Sequence, residues 1–190
     1  MQILPLSIPG ANRILLDPKT DPRGFFARTY DKAVFEQNGL VASWVQESHS
    51  FSAKKGTVRG LHFQKSPYSE TKLVRVAQGS IYVVLLDIRP ESPMFGKWEG
   101  AEISAENSTM LYAPKGMAMG MCTLTDCCSL LYKMDAEYKP ESARTIRWDD
   151  PELKIRWPLD QLPILSDKDR SAPLFREYLK SECQAGKSPS

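Results

Sequence analysis

Short apolar runs separated by turn residues dominate this chain, and their spacing predicts strands rather than helices. Within the runs, side chains alternate between apolar and polar or stay apolar, and the 14 prolines and 11 glycines are scattered between them. Such punctuation is typical of an all-β sandwich or barrel. Strands are predicted at 13–16, 25–30, 44–50, 57–64, 72–77, 81–88, 98–103, 109–113, 119–123, 129–134 and 145–148.

Two of these strands are predicted to form a hairpin. Residues 72–77 and 81–88 are separated only by Gln78, Gly79 and Ser80. A short loop that contains glycine commonly joins two antiparallel neighbours. The sequence therefore predicts that these two strands pair with each other.

Helical spacing is confined to two segments. Asp31 can cap a short helix that ends at Asn38 and Gly39, because aspartate accepts a hydrogen bond from the first turn and glycine suits the end. Pro173 opens a second segment whose apolar residues recur at helical spacing. We expect both helices on the outside of a mainly β jelly roll, built as a β-sandwich or barrel.

Composition limits the possible classes of protein. A chain of 190 residues that is 42% hydrophobic can bury one sizeable core, so we expect a single domain at 1–184 and a flexible tail at 185–190. The net charge of +2 argues against nucleic acid as a partner. No apolar stretch is long enough to span a membrane, and the four cysteines have no regular spacing. We therefore expect a cytoplasmic protein without a membrane partner.

Histidine is scarce, since only His49 and His62 are present. Histidine is the side-chain type whose ordinary pKa best suits proton transfer near neutral pH. Along a strand, His62 and Gln64 would share one face, and Lys72 on the next strand could point into the same interior. From spacing alone, a structural role for the histidine and a solvated edge position for the lysine remain open alternatives.

Several motifs, in a fixed order, resemble one family. They include Asp21-Pro22-Arg23-Gly24-Phe25-Phe26, Val58-Arg59-Gly60-Leu61-His62-Phe63-Gln64, Lys72-Leu73-Val74-Arg75-Val76 and Leu165-Ser166-Asp167-Lys168-Asp169. From about residue 21 to residue 173, the chain resembles the nucleotide-sugar epimerases of the cupin superfamily, such as the dTDP-4-dehydrorhamnose 3,5-epimerase family. The resemblance implies a cupin-type jelly roll and a homodimer.

The resemblance also implies a reaction. Family members act on a nucleotide-diphospho-4-keto-6-deoxy sugar, whose ketone acidifies the C–H bonds at C3 and C5, and they need no cofactor. Such chemistry requires a base, an acid and a group that stabilises the enolate. By family analogy, His62 is the base and Asp169 orients it. Lys72 stabilises the enolate oxygen, and Tyr132 is the acid.

Substrate-binding residues follow from the same resemblance. Arg23, Gln46 and Arg59 would hold the pyrophosphate and its surroundings, because a guanidinium offers paired donors to phosphate oxygens. Lys168 would lie near the ligand. Tyr138 would stack on the nucleotide base, a contact that any base can make.

The chain departs from the family pattern at other positions. Met119 stands where the family has a histidine that contacts the sugar, and a thioether cannot donate a hydrogen bond. We expect this wall to favour an apolar or differently oriented sugar substituent. The family's Asp-Asn is Glu47-Ser48 here, with Ser48 expected at the substrate, and an acidic residue of the family is replaced by Arg28.

Some alternatives remain open. A cupin metal site rich in histidine cannot be built, because no histidine follows His62, so no metal is expected. Besides a 3,5-epimerase, the residues allow a single-position epimerase of a CDP- or GDP-linked keto sugar. They also allow a sugar-nucleotide-binding cupin without catalysis. A 3,4-ketoisomerase of related architecture is a further possibility, against which the motif at 165–169 argues.

Overall fold

Two antiparallel sheets face each other in the computed structural model, which describes residues 1–185. The predicted flexible tail, 185–190, lies outside the described residues apart from Ala185, which ends the last helix. The elements in chain order are β1 (Gln2–Pro5), β2 (Asn12–Leu15), β3 (Lys19–Asp21), β4 (Gly24–Phe26), α1 (Lys32–Gln37), β5 (Gln46–Ser52), β6 (Val58–Gln64), β7 (Lys72–Gln78), β8 (Ser80–Asp87), β9 (Trp98–Ser104), β10 (Thr109–Ala113), β11 (Met117–Thr123), β12 (Cys128–Met134), β13 (Ala143–Thr145), α2 (Asp167–Arg170) and α3 (Phe175–Ala185).

The strand order defines the sandwich. One sheet has the order β1-β2-β10-β7-β12-β5 and the other β13-β6-β11-β8-β9, while β3 and β4 form a separate hairpin. The mainly β sandwich predicted from the sequence is confirmed, and each predicted strand overlaps an observed one. The pattern missed β1 and β3, because both are short and largely exposed and therefore lack a buried face.

Alternating positions of the strands build three apolar layers. Val74 on β7 and Leu130 on β12 meet Val83 on β8 between the two sheets. Burying a side chain of this size contributes about 1.5–3 kcal/mol relative to leaving it exposed. The α3 helix covers the outer face of the five-stranded sheet through Phe175, and α1 covers the other sheet through Phe35. The prediction that both helices pack on the outside is confirmed.

The predicted hairpin of β7 and β8 is wrong. The two strands belong to different sheets, so the turn carries the chain from one layer to the other. Gly79 adopts a φ of +78° there, and a Cβ atom would lie 2.7 Å from Cys128 Sγ. The backbone of the turn accepts hydrogen bonds from Ala105 and Leu124. The local pattern of apolar residues could not distinguish a hairpin within one sheet from a turn between two sheets, because β7 and β8 would be buried on both faces in both arrangements.

A second glycine fixes the register next to the interior. Gly60 on β6 has a φ of +111°, and a Cβ atom there would lie 2.6 Å from the carbonyl oxygen of Met119. Only glycine permits this close approach to β11. The register then places His62 directly opposite Met119. Within residues 1–185, no helix combines the length and the apolar character that a membrane-crossing segment requires.

Candidate active site

A cavity of about 480 Å³ lies between the two sheets and draws its walls from both. The sequence-predicted site residues that line it are Gln46, Ser48, Arg59, His62, Lys72, Met119, Tyr132, Tyr138 and Lys168. These residues come from strands, a loop and the helix α2 that are distant in the sequence and become neighbours only in the folded chain. The structure therefore brings together most of the predicted site.

His62, which lines the cavity, forms a close polar pair with a buried aspartate. His62 Nε2 lies 2.6 Å from Asp169 Oδ1, and the Asp169 side chain is only 4% exposed. The short helix α2 places this carboxylate, since Ser166 caps the helix by accepting a hydrogen bond from the Asp169 backbone N–H. A carboxylate only accepts hydrogen bonds, so Nε2 donates and Nδ1 is left to accept a proton.

The charge of Asp169 is favoured despite its burial. Burial alone would raise the pKa of this carboxyl, but hydrogen bonds from His62 and Ser166 and attraction to the imidazole outweigh it. The pKa of Asp169 therefore lies below its ordinary value. At neutral pH this carboxylate is ionised and can stabilise a positive charge on His62.

Tyr132 faces the cavity from the opposite sheet. It lies on β12, where its register partners are Ser48 on β5 and Val74 on β7. Its ring packs against the interior apolar layer while it lines the cavity. His62 and Tyr132 thus stand on opposite walls of one chamber.

Lys72 enters the cavity as part of an ion pair. Its Nζ lies 2.9 Å from Glu70 Oε1, and both side chains are 10% exposed. The same ammonium donates to the backbone carbonyl of His62 at 3.3 Å. Glu70 was not predicted from the sequence, because it lies in the loop before β7, where no strand alternation assigns it a face.

Further cations line the cavity and match an anionic ligand. Arg59 donates to Ser52 Oγ and to the carbonyl of Phe51, which orients its guanidinium. Lys168 and Arg144 also line the cavity, and Arg144 was not predicted from the sequence. Clustered guanidinium and ammonium groups are what phosphate oxygens bind most strongly.

An aromatic side chain lies at the edge of the cavity. Gln46 Oε1 accepts a hydrogen bond from the Tyr138 backbone N–H at 2.8 Å. This contact ties the segment of Tyr138 to β5, while the Tyr138 side chain remains 57% exposed. An exposed ring on a fixed backbone can stack against a planar ligand.

The methionine wall of the cavity is present. Met119 is half-buried opposite His62, and Met121 lines the cavity with Leu130 and Met134. These side chains give the chamber an apolar side that contrasts with its cations. The structure thus places Met119 where it can contact a ligand, and its effect on sugar choice stays a prediction.

Arg23 does not join the other residues. It lies beside the β3–β4 hairpin with 89% of its side chain exposed, and it pairs with Asp21 at 2.6 Å. Phe25 and Phe26 on the same hairpin are each 68% exposed. Within one chain, Arg23 lies outside the cavity.

The cysteines lie away from this chemistry. Burial raises the pKa of the Cys122 thiol to about 11, so this thiol is protonated at neutral pH. Cys128 is also buried, whereas Cys127 is exposed. In the part of the chain that the structure describes, no three side chains of the His, Cys, Asp and Glu types are grouped so as to hold a metal ion.

Known proteins share both the sequence and the fold. A family model described as dTDP-4-dehydrorhamnose 3,5-epimerase matches residues 5–177. The dTDP-4-dehydrorhamnose 3,5-epimerase of Salmonella typhimurium is 43% identical over 185 residues, which cover 96% of this chain and 100% of that protein.

Two solved structures add ligands to the comparison. The dTDP-4-dehydrorhamnose 3,5-epimerase of Bacillus anthracis, with TDP and PPi bound, has a TM-score of 0.89 at 44% identity, covering 92% of this chain and 99% of that one. A 3,5-epimerase of Legionella pneumophila in complex with dTDP-4-keto-L-rhamnose has a TM-score of 0.88 at 38% identity, covering 92% and 93%.

Proposed function

The chain belongs to the dTDP-4-dehydrorhamnose 3,5-epimerase family. We propose that His62 and Tyr132 carry out the proton transfers of an isomerase that acts on a dTDP-4-keto-6-deoxy sugar, and that Lys72 stabilises the enolate formed between them. One observation carries this proposal. His62 is held by a buried carboxylate on one wall of the cavity, and Tyr132 faces it from the other sheet. Epimerisation requires proton transfer at both faces of the sugar ring.

The first step is removal of a proton from carbon. The lone pair of His62 Nδ1 takes the proton at C3 or C5, and the electrons of that C–H bond move onto the oxygen at C4. The ketone itself accepts these electrons, so the scheme draws on no cofactor. Asp169 stabilises the imidazolium that forms, and the Lys72 ammonium stabilises the enolate oxygen.

The second step returns a proton to the opposite face. The Tyr132 hydroxyl donates its proton to the carbanionic carbon while the C4 carbonyl re-forms, which inverts that centre. Solvent then restores the proton of Tyr132 and removes the one on His62. Repetition at the second carbon completes a 3,5-epimerisation.

The cations and the exposed aromatic ring would bind different parts of the nucleotide. Arg59, Lys168 and Arg144 would contact the pyrophosphate, because they supply the positive charge of the cavity wall. Tyr138 would stack on the thymine ring. Gln46 supports Tyr138 through its backbone hydrogen bond, and Ser48 lines the wall next to Tyr132.

We also propose a homodimer. Phe25 and Phe26 are exposed on a hairpin that pairs with no other described strand, and exposed aromatic groups of this kind mark interaction surfaces. Arg23 lies outside the cavity of its own chain, so its predicted contact with pyrophosphate requires the cavity of a second copy.

The remaining proposals concern organisation and compartment. We propose a single domain at 1–184, because α3 packs on the same sheet that carries His62. We propose a cytoplasmic location, because all four cysteines are free and free thiols suit a reducing compartment.

Hydrogen exchange tests the proposed base. In deuterium oxide, the protein should incorporate label at C3 and C5 of dTDP-4-keto-6-deoxyglucose. His62→Asn should abolish incorporation while dTDP binding persists. His49→Asn is the matched control, since this second histidine is exposed, does not line the cavity and hydrogen-bonds to Ser129, and the exchange rate of this variant should stay unchanged.

The outcomes separate the alternatives. Label at one carbon only would identify a single-position epimerase, and migration of the carbonyl would identify a ketoisomerase. Binding of the substrate by the wild-type protein without any exchange would overturn the proposal in favour of a binding protein. Retained exchange in His62→Asn would remove that residue as the base.

A further inference from the structure

Glu70 is a nearly buried carboxylate in the cavity wall on which two donors converge. Its Oε1 lies 2.9 Å from Lys72 Nζ, and its Oε2 accepts from Gln64 Nε2 at 3.1 Å. The side chain is 10% exposed. A carboxylate offers two acceptor oxygens and suits two donors, whereas an amide would turn its own NH₂ toward one of them.

The same contacts connect Lys72 to the edge of the cavity. Gln64 Nε2 also lies 3.0 Å from the carbonyl oxygen of Glu137, and Gln64 Oε1 accepts from the Lys139 backbone N–H at 2.6 Å. These two residues flank Tyr138. Glu70 therefore sits between the ammonium in the cavity and the segment that carries the exposed ring.

We propose that Glu70 is a positioning residue that holds the Lys72 ammonium toward the C4 oxygen of the substrate, an inference that rests on the proposed role of Lys72. A lysine side chain has a flexible four-carbon stem, and fixing its cation costs conformational entropy. The Glu70 carboxylate fixes it before the substrate arrives. Preorganised charge of this kind stabilises a transition state without reorganisation during the reaction.

The primary test is Glu70→Gln, measured as kcat and KM for epimerisation and for deuterium exchange. We expect kcat to fall about tenfold, less than the roughly 10²-fold or greater loss expected for Lys72→Met, which removes the stabilising charge outright. KM should change by less than about twofold, because the substrate contacts remain. Glu47→Gln is the matched control: Glu47 pairs with Lys133 at 2.9 Å outside this cavity, and its kcat should be unchanged.

A double-mutant cycle distinguishes positioning from general support of the fold. If Glu70 acts through Lys72, Glu70→Gln should cause no further loss of kcat in the Lys72→Met background. A merely structural role would give the same fold-loss in both backgrounds. That equal loss, or an unchanged kcat in the single variant Glu70→Gln, would overturn the proposal.

Two further controls separate a failure of the proposed function from a failure of the proposed role of Glu70. Absence of exchange in the wild-type protein would count against the proposed function, whereas an unchanged kcat in Lys72→Met would count against the role of Lys72 and with it that of Glu70. If circular dichroism shows that Glu70→Gln does not fold, the cycle is repeated with Glu70→Asp. This variant keeps the charge on a shorter side chain, and the same dependence on Lys72 is expected.

Discussion

Replacing Asp169 by asparagine should slow proton abstraction without disturbing the fold around it. The substitution removes the charge that faces His62 at 2.6 Å. It leaves the cap of α2 intact, because that hydrogen bond runs from the backbone N–H of residue 169 to Ser166 Oγ. The imidazolium formed during the reaction then lacks its counter-charge.

The size of this effect follows from the geometry. With charge centres about 4 Å apart and an effective dielectric constant of roughly 20 to 40, the lost attraction is about 2–4 kcal/mol. The higher dielectric constant is included because the His62 side chain is 40% exposed. At 1.4 kcal/mol per tenfold, the exchange rate should fall by about 30- to 700-fold.

The assay is deuterium exchange into dTDP-4-keto-6-deoxyglucose, followed by NMR at C3 and C5. Asp167→Asn provides the matched control, since it is the same substitution at an exposed position of α2, and it should exchange at the wild-type rate. An Asp169→Asn exchange rate within about threefold of wild type, well below the Coulomb expectation, would refute the reasoning. Equal losses in both variants would also contradict it.

The wild-type protein and Asp169→Asn should also differ in how their stability to unfolding depends on acid pH. The folded-state pKa of Asp169 lies below its unfolded value near 3.8. Its ionised carboxylate therefore contributes stability that is present above pH 3.8 and lost as pH falls through the folded pKa. Urea unfolding should show this acid-sensitive component in the wild type and lack it in Asp169→Asn. Identical pH profiles would contradict the assignment.

Three other substitutions test separate parts of the molecule. Tyr132→Phe should retain deuterium exchange on the face of the sugar next to His62 but lower the rate at which the sugar carbon is inverted by about 10²-fold or more. A normal rate of inversion, measured by product NMR, would exclude Tyr132 as the acid. Met119→His should raise kcat/KM about fivefold through one new hydrogen bond, and unchanged kinetics would show that this wall does not contact the sugar. Asp87→Asn should lower the free energy of unfolding by about 3 kcal/mol, because this fully buried carboxylate accepts from Arg89 and Ser92; an unchanged urea midpoint would contradict that.

The period-2 pattern correctly assigned the faces of β6. His62 and Gln64 line the cavity, as alternation required, while Leu61 and Phe63 pack under α3. The cap at Asp31 was predicted equally well. These features depend on neighbours within a few residues, which the chain order itself supplies.

Local alternation does not predict features that depend on contacts between residues distant in the sequence. The turn at Gly79 carries the chain between the two sheets, and it packs closely against Cys128, a residue far along the chain. Glu70 and Arg144 lay in loops or short strands without a pattern of their own, and they became cavity residues only through their neighbours in space.

The amino-acid order by itself determined the mainly β class, most strand positions and, through the family motifs, the residues that meet at the cavity. Only the tertiary structure decided which strands pair, how closely Asp169 approaches His62, that Glu70 pairs with Lys72, and that Arg23 lies outside its own cavity. The physical reason is the sequence separation of the residues that each feature depends on. Alternation and capping are fixed by adjacent residues, whereas strand pairing, burial and the hydrogen bond between His62 and Asp169, 107 positions apart, depend on how the whole core packs.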